Sequence, residues 1–267
     1  MNLHQQTKEV LSKNMRNLSI LVAVLFFFGL VEMGKAHEQQ ALDLQLSLKS
    51  EKTTYFLGQP IPLLIELDNL SGNAIILPDT FDPVYGSLKI SVHDDDRNVD
   101  FEYMNPNWGI LEPSGLVRIG ANEKLENRVQ LLSRVKADKS PAYFFQSEGT
   151  YDLTASYQIQ LTGGVANEVE SQPIKVKLVK PVGENLKVWE KIKDNAEIGY
   201  FMQWSDFTIP FYRDKDRLRL QDEVEQLIRT YPDSLYSDYL RSNLEKYRAS
   251  EEKRQVFRKK ALSEPNN

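Results

Sequence analysis

The sequence predicts a β-sandwich followed by an α-helical region. Three observations carry that prediction. Apolar residues alternate with polar ones from Leu42 to Leu178, the alternating runs end in turn-forming residues, and after Pro181-Val182-Gly183 the apolar spacing becomes helical.

The first run sets Leu42, Leu44, Leu46 and Leu48 apart by Asp43, Gln45 and Ser47. A period of two residues puts every second side chain on one face of a strand, so one face is apolar and buried. The same period returns at Ile61, Leu63, Ile65 and Leu67, at Leu88, Ile90 and Val92, at Val129 and Leu131, and at Ile174, Val176 and Leu178. Asp68-Asn69, Ser71-Gly72-Asn73 and Gly163-Gly164 are turn chemistry. Eight or nine short antiparallel strands follow, which favours two packed sheets.

Two local patterns narrow this. In Tyr55-Phe56-Leu57-Gly58-Gln59-Pro60-Ile61 a tyrosine stands three residues before a turn glycine, with an apolar strand directly after. Gly149-Thr150-Tyr151-Asp152-Leu153-Thr154-Ala155-Ser156-Tyr157 opens a long strand whose odd positions share a face. These stretches resemble secreted immunoglobulin-like domains of the macroglobulin and related bacterial types, over residues 40–181. The resemblance implies an immunoglobulin-like antiparallel β-sandwich with Tyr151 as a tyrosine corner. It brings no active site.

Helical spacing begins at Glu184, and one helix is expected to Glu197, with Leu186, Val188, Trp189 and Ile192 near one stripe. Leu220, Val224, Leu227, Ile228 and Tyr231 form the buried face of another. Pro232-Asp233-Ser234 breaks it and offers a cap to a third, whose face is Leu235, Tyr236, Tyr239, Leu240, Leu244 and Tyr247. So short a connection predicts antiparallel packing. LIRTYPDSLYSDYL resembles the helix-turn-helix of tetratricopeptide-like periplasmic proteins, although no 34-residue repeat follows it.

The N-terminus has three zones: Lys8, Lys13 and Arg16, then the apolar run at 18–31, then Gly34-Lys35-Ala36. This is the pattern of a secretory signal peptide over residues 1–36, cleaved after Ala36. An uncleaved membrane anchor is the competing reading, but fourteen residues reach about 21 Å, short of a hydrocarbon core of roughly 30 Å. The expected organisation is therefore signal peptide, sandwich over 37–181 and helical region with a basic tail over 182–267. An exported chain without cysteine suits a bacterial periplasm or the cell exterior.

Charge and residue inventory exclude several chemistries. From His37 to Pro181 there are 20 acidic and 13 basic residues, and from Val182 onward 16 of each, so nucleic acid is not the expected partner. Past the signal segment the histidines are His37 and His93, too few for a multi-histidine zinc site. His93 runs into Asp94-Asp95-Asp96 and reads as a hairpin edge. Asp96-Arg97-Asn98-Val99-Asp100 begins like a calcium loop, but Phe101 and Asn107 stand where Gly and Glu are needed. No phosphate-cradling glycine loop, G-x-S-x-G or cysteine nucleophile occurs. No metal, no cofactor and no enzymatic activity is expected, and the membrane is met only through the signal segment.

What remains is recognition. YMNPNWGILEPSG, residues 103–115, is a Pro-, Asn- and Gly-rich stretch between strands. Tyr103, Asn107 and Trp108 are its candidate binding residues, with Trp108 either stacking on a sugar or peptide or plugging the end of the sandwich. A second aromatic stretch, YFMQWSDFTIPFYR at 200–213, is expected to form a seam between the two halves. Its path should be a helix-like turn to about Thr208, then an extended lead to Asp214. The function expected is a non-catalytic exported module that binds or assembles with a protein or polysaccharide at the cell envelope. A proteinase inhibitor acting through loops 78–87 and 103–122 and a hydrolase using carboxylates alone are the alternatives.

Overall fold

A computed structural model describes residues 43–94, 99–102, 115–136, 140–160, 166–205 and 214–263. They belong to one compact unit, Asp43–Asn267, which is mostly β with several antiparallel sheets and has four C-terminal helices. Strands β1 (Leu44–Ser50), β3 (Ile61–Asn69) and β8 (Lys124–Leu131) form one sheet in that order. The second sheet runs β2 (Thr54–Phe56), β13 (Ile174–Val179), β11 (Gly149–Gln160), β5 (Leu88–Asp94), β6 (Val99–Glu102), and β12 (Ala166–Glu170) also pairs with β11. Two ribbons complete the β part: β4 (Ile75–Pro78) with β7 (Leu116–Ile119), and β9 (Ser133–Val135) with β10 (Pro141–Tyr143).

Register follows the alternation. Leu46 pairs with Leu67 and Leu48 with Ile65, while Leu153 pairs with Val92 and Ala155 with Ile90. A slip of one residue would turn each of these sets outward. Strand β1 packs on β11, β12 and β13, and the inward residues Ile61, Leu63, Ile65, Leu67, Ile90, Val92 and Leu153 are at most 2% exposed. Each such side chain contributes about 1.5 to 3 kcal/mol by leaving water.

One pairing departs from the expected pattern, because β2 runs parallel to β13. After β1 the chain steps across to the edge of the second sheet without reversing. Tyr55, 2% exposed, fastens the step: its hydroxyl pairs with Ser50 Oγ at 2.7 Å and accepts from the Lys52 N–H at 3.1 Å. Tyr151 donates its hydroxyl proton to the Ser147 carbonyl at 2.9 Å, four residues upstream. That is the bond expected of a tyrosine corner.

The helices are α1 (Gly183–Ile192), α2 (Ala196–Trp204), α3 (Asp214–Thr230) and α4 (Leu235–Ser263). The single helix expected over Glu184 to Glu197 is broken at Lys193–Asn195. The Ile192 carbonyl, which a continuous helix would offer to the Ala196 N–H, accepts instead from the Asn195 N–H at 2.8 Å and the Tyr143 hydroxyl at 3.1 Å. Helix α2 stops at Trp204, short of Thr208, with Ser205 left-handed at φ 55° and its N–H bonded to the Phe201 carbonyl. The start of α4 is also held differently from expectation. Asn185 of α1 accepts the Leu235 N–H at 2.8 Å and the Ser234 hydroxyl at 3.0 Å, so the first turn is capped from another helix.

Candidate binding cleft at the junction of strands and helices

Tyr103, Asn107 and Trp108 lie outside the described residues, as do residues 96–98 of the calcium-like run and Phe207, Phe211 and Tyr212 of the aromatic stretch. Within that stretch Tyr200 is 5% and Phe201 0% exposed, and both belong to the seam between the β part and the helices. The buried set on α2 is wider than a stripe: Ile198, Gly199, Tyr200, Phe201, Met202 and Gln203 are all buried. A helix buried on every side is a core helix. It packs against β9, β10, α1, α3 and α4.

Close approach on this seam needs two glycines. A Cβ on Gly199 would come within 2.4 Å of the Tyr143 ring, and one on Gly58, at φ 76°, within 2.4 Å of the Trp189 ring. The seam also carries buried amides that bond to main-chain groups. Gln203 Oε1 accepts from the Leu132 N–H at 2.8 Å and the Ser133 N–H at 2.5 Å, closing the free edge of β9. Asn243 of α4 donates to the Phe201 and Met202 carbonyls at 3.1 and 2.5 Å. The Tyr236 hydroxyl donates to the Leu57 carbonyl.

Beside this seam lies a cleft of about 700 Å³ between β10 with the following Phe145-Gln146 and the turn from α1 to α2. Three of its lining residues are buried aromatics. Tyr143 and Trp189 meet edge to face with centroids 5.2 Å apart, and Phe145 lies alongside. Burial pushes the Tyr143 hydroxyl well above its ordinary value, which keeps it a neutral donor to the Ile192 carbonyl.

The rim is charged and carries the Lys136 and Gln146 side chains. Glu190 pairs with Lys193 at 2.5 Å, and Glu197 with Arg219 at 2.7 Å. Hydrogen bonding to Lys193 holds the Glu190 carboxyl below its ordinary range. That is opposite to the raised carboxyl a general acid needs. A second cleft of about 350 Å³ between α1, α2 and α3 shares Asn195, whose amide donates to Glu223 at 2.9 Å. Among the described residues no group of three or more His, Cys, Asp or Glu side chains could hold a metal ion, and no helix is long and apolar enough to cross a membrane. A lining rich in amides and charges suits a ligand with hydrogen-bonding groups.

Sequence reasoning missed this cleft. Its residues come from strand ends and a helix break that no periodicity marks. For the seam beside it the usable signal was Gln203 inside Tyr200-Phe201-Met202-Gln203-Trp204, an amide among apolar residues.

No family model matches the sequence. No curated protein matches it either. Solved structures resembling about half of the chain include three proteins. An alkylpurine DNA glycosylase AlkC from Pseudomonas fluorescens bound to DNA is 9% identical at a TM-score of 0.31, over 51% of this chain and 30% of that one. A β-glucosidase from Erythrobacter marinus is 12% identical at 0.29, over 52% and 16%. The CARDB domain of a Pyrococcus furiosus protein, in complex with di-metal ions, is 16% identical at 0.29, over 52% and 90%. The chain thus spans less than a third of the first two. Likenesses at this level carry no argument about fold or activity.

Proposed function

We propose that the protein is an exported, non-catalytic binding module that recognises a protein or polysaccharide partner at the cell envelope through the junction cleft. The observation that carries the reading is the cleft itself, lined by the carboxylates Glu190 and Glu197, which cations hold, and by the buried aromatic residues Tyr143, Trp189 and Phe145. The buried rings fix the shape of the cleft, and the polar and charged groups that line it offer hydrogen bonds to a ligand.

The β part is read as an immunoglobulin-type sandwich. Strand order supports this: β1-β3-β8 corresponds to A-B-E in one sheet, and β13-β11-β5 to G-F-C in the other. So does the Tyr151 bond to Ser147 at the start of β11. The pair α3 and α4, joined through Tyr231 and Ser234 and tied by Arg248 donating to Glu225 at 2.9 Å, supports the tetratricopeptide-like reading. Export rests on the three-zone N-terminus.

The test immobilises the exported protein, challenges it with purified envelope polysaccharides and envelope proteins, and determines its N-terminal residue. Retention of one class and a start at His37 are expected. Turnover of a polysaccharide, abolished by Glu190→Gln or Glu197→Gln, would replace the reading with a carboxylate hydrolase. Inhibition of a proteinase panel with nothing else retained would replace it with an inhibitor.

A further inference from the structure

We infer that the two clefts are halves of one groove that holds a linear, uncharged polysaccharide chain across the break between α1 and α2. This deepens the binding reading and rests on it.

Asn195 is the wall the halves share, since it lines both the cleft of about 700 Å³ and the one of about 350 Å³. On the first side its carbonyl accepts from the Tyr143 hydroxyl at 3.5 Å, and on the second its amide donates to Glu223 at 2.9 Å. Arg219 of α3 ties the same two sides. It donates to Glu197 of the larger cleft at 2.7 Å and to Glu223 of the smaller at 2.6 Å. Each cleft alone lies within the roughly 300 to 1,000 Å³ of a small-molecule site, so a ligand that fills both is longer than such a molecule.

The lining selects the chemistry of that ligand. Its four carboxylates are matched by its three lysines and by Arg219, so neither sign of charge is favoured. A peptide finds little to hold. Ile198 and Leu227 are 3% and 8% exposed and the rings of the larger cleft no more than 6%, which leaves no apolar pocket for a side chain. Of β10, Ala142 and Tyr143 are 4% exposed, and the helical walls spend their main-chain groups within the helices. A peptide backbone therefore has no ladder to join.

What the groove does offer are groups that both donate and accept. The amides of Gln146 and Gln226 and the hydroxyl of Tyr231 have no hydrogen-bond partner among the described residues, and none of the three is buried. Sugar hydroxyls donate and accept in the same way. A chain of such units repeats the match from one cleft to the other.

Titration calorimetry on the exported chain tests this, with linear glucan and mannan disaccharides and octasaccharides, uronic-acid octasaccharides and envelope proteins as probes. A neutral octasaccharide should bind at least ~10-fold more tightly than its disaccharide, because only the longer chain reaches both clefts. Joint replacement Gln226→Ala and Tyr231→Phe in the smaller cleft should remove that ~10-fold advantage and leave the disaccharide unchanged. Gln146→Ala in the larger cleft should weaken both lengths. None of these substitutions breaks a described hydrogen bond, so the melting temperature should not move. Equal affinity for the two lengths, an advantage that survives the joint replacement, or tighter binding of the uronic-acid chain would overturn the inference. If no oligosaccharide binds while an envelope protein is retained, the groove falls and the binding reading stands. If neither is retained, both fall.

Discussion

The aliphatic core of the strands and the seam under α2 are buried to the same degree and held by different means. Ile65, Leu67, Ile90, Val92 and Leu153 fill the first, aliphatic against aliphatic, with hydrogen bonding left to the strand ladders. The seam sets Phe201 and Tyr200 beside the amides of Gln203 and Asn243, which close main-chain groups that no ladder reaches. Non-directional burial tolerates a change of shape that keeps volume. A directed amide does not, since removing one partner strands the other in a dry interior.

The largest expected effect comes from emptying the seam. Phe201→Ala should cost about 3 to 5 kcal/mol in chemical denaturation, as much as truncating any ring in a core. Because α2 touches both the strands and the other helices, the loss should appear as one transition shared by Tyr143 and Tyr236 environments. A separate early transition confined to the helices would show that the seam is weaker than the aliphatic core of the strands.

Gln203→Leu sharpens the contrast. Volume is nearly kept, yet the Leu132 and Ser133 N–H groups lose their acceptor, and about 1 to 3 kcal/mol should go. Ile65→Leu, an equally conservative change in the aliphatic core of the strands, should cost less than about 1.5 kcal/mol. Equal losses would erase the distinction.

The smallest effect lies on the outer face of the first sheet, where Glu66 is held by Lys124 and Lys49. Hydrogen bonds from Lys124 and then Lys49 pull its carboxyl from an ordinary 4.5 down to about 2. A carboxyl lowered by folding stabilises the protein above its unfolded value, and that contribution is lost as pH falls through the folded one. Glu66→Gln should therefore be less stable than the parent by about 1 kcal/mol at neutral pH, given the solvent screening of two half-exposed lysines. Melting curves of the two should converge between about pH 4.5 and pH 2, and a difference that persists at pH 2 would assign the effect to packing.

Strand positions in the sheets were legible because a strand needs only alternation, which is local and survives any tertiary setting. The faces of α3 and α4 were legible for the same reason: Leu220, Val224 and Leu227, like Tyr236, Leu240 and Leu244, are buried as their spacing requires. Tyr55 and Tyr151 could be marked as special because each stands at a fixed offset from a turn. Their hydroxyl partners could not be named, since Ser50, Lys52 and Ser147 are ordinary residues until the turn closes.

Only the tertiary structure decided the break between α1 and α2, the parallel pairing of β2, the cap that Asn185 lends to Leu235, and the cleft. Each depends on a partner far along the chain: Tyr143 reaches Ile192, β2 reaches β13, and Gln203 reaches Ser133 across 70 residues. Periodicity records which face of an element meets an apolar neighbour. It carries no record of which distant main-chain group a single amide or hydroxyl will satisfy, because that is set by how the elements stack once burial has brought them together.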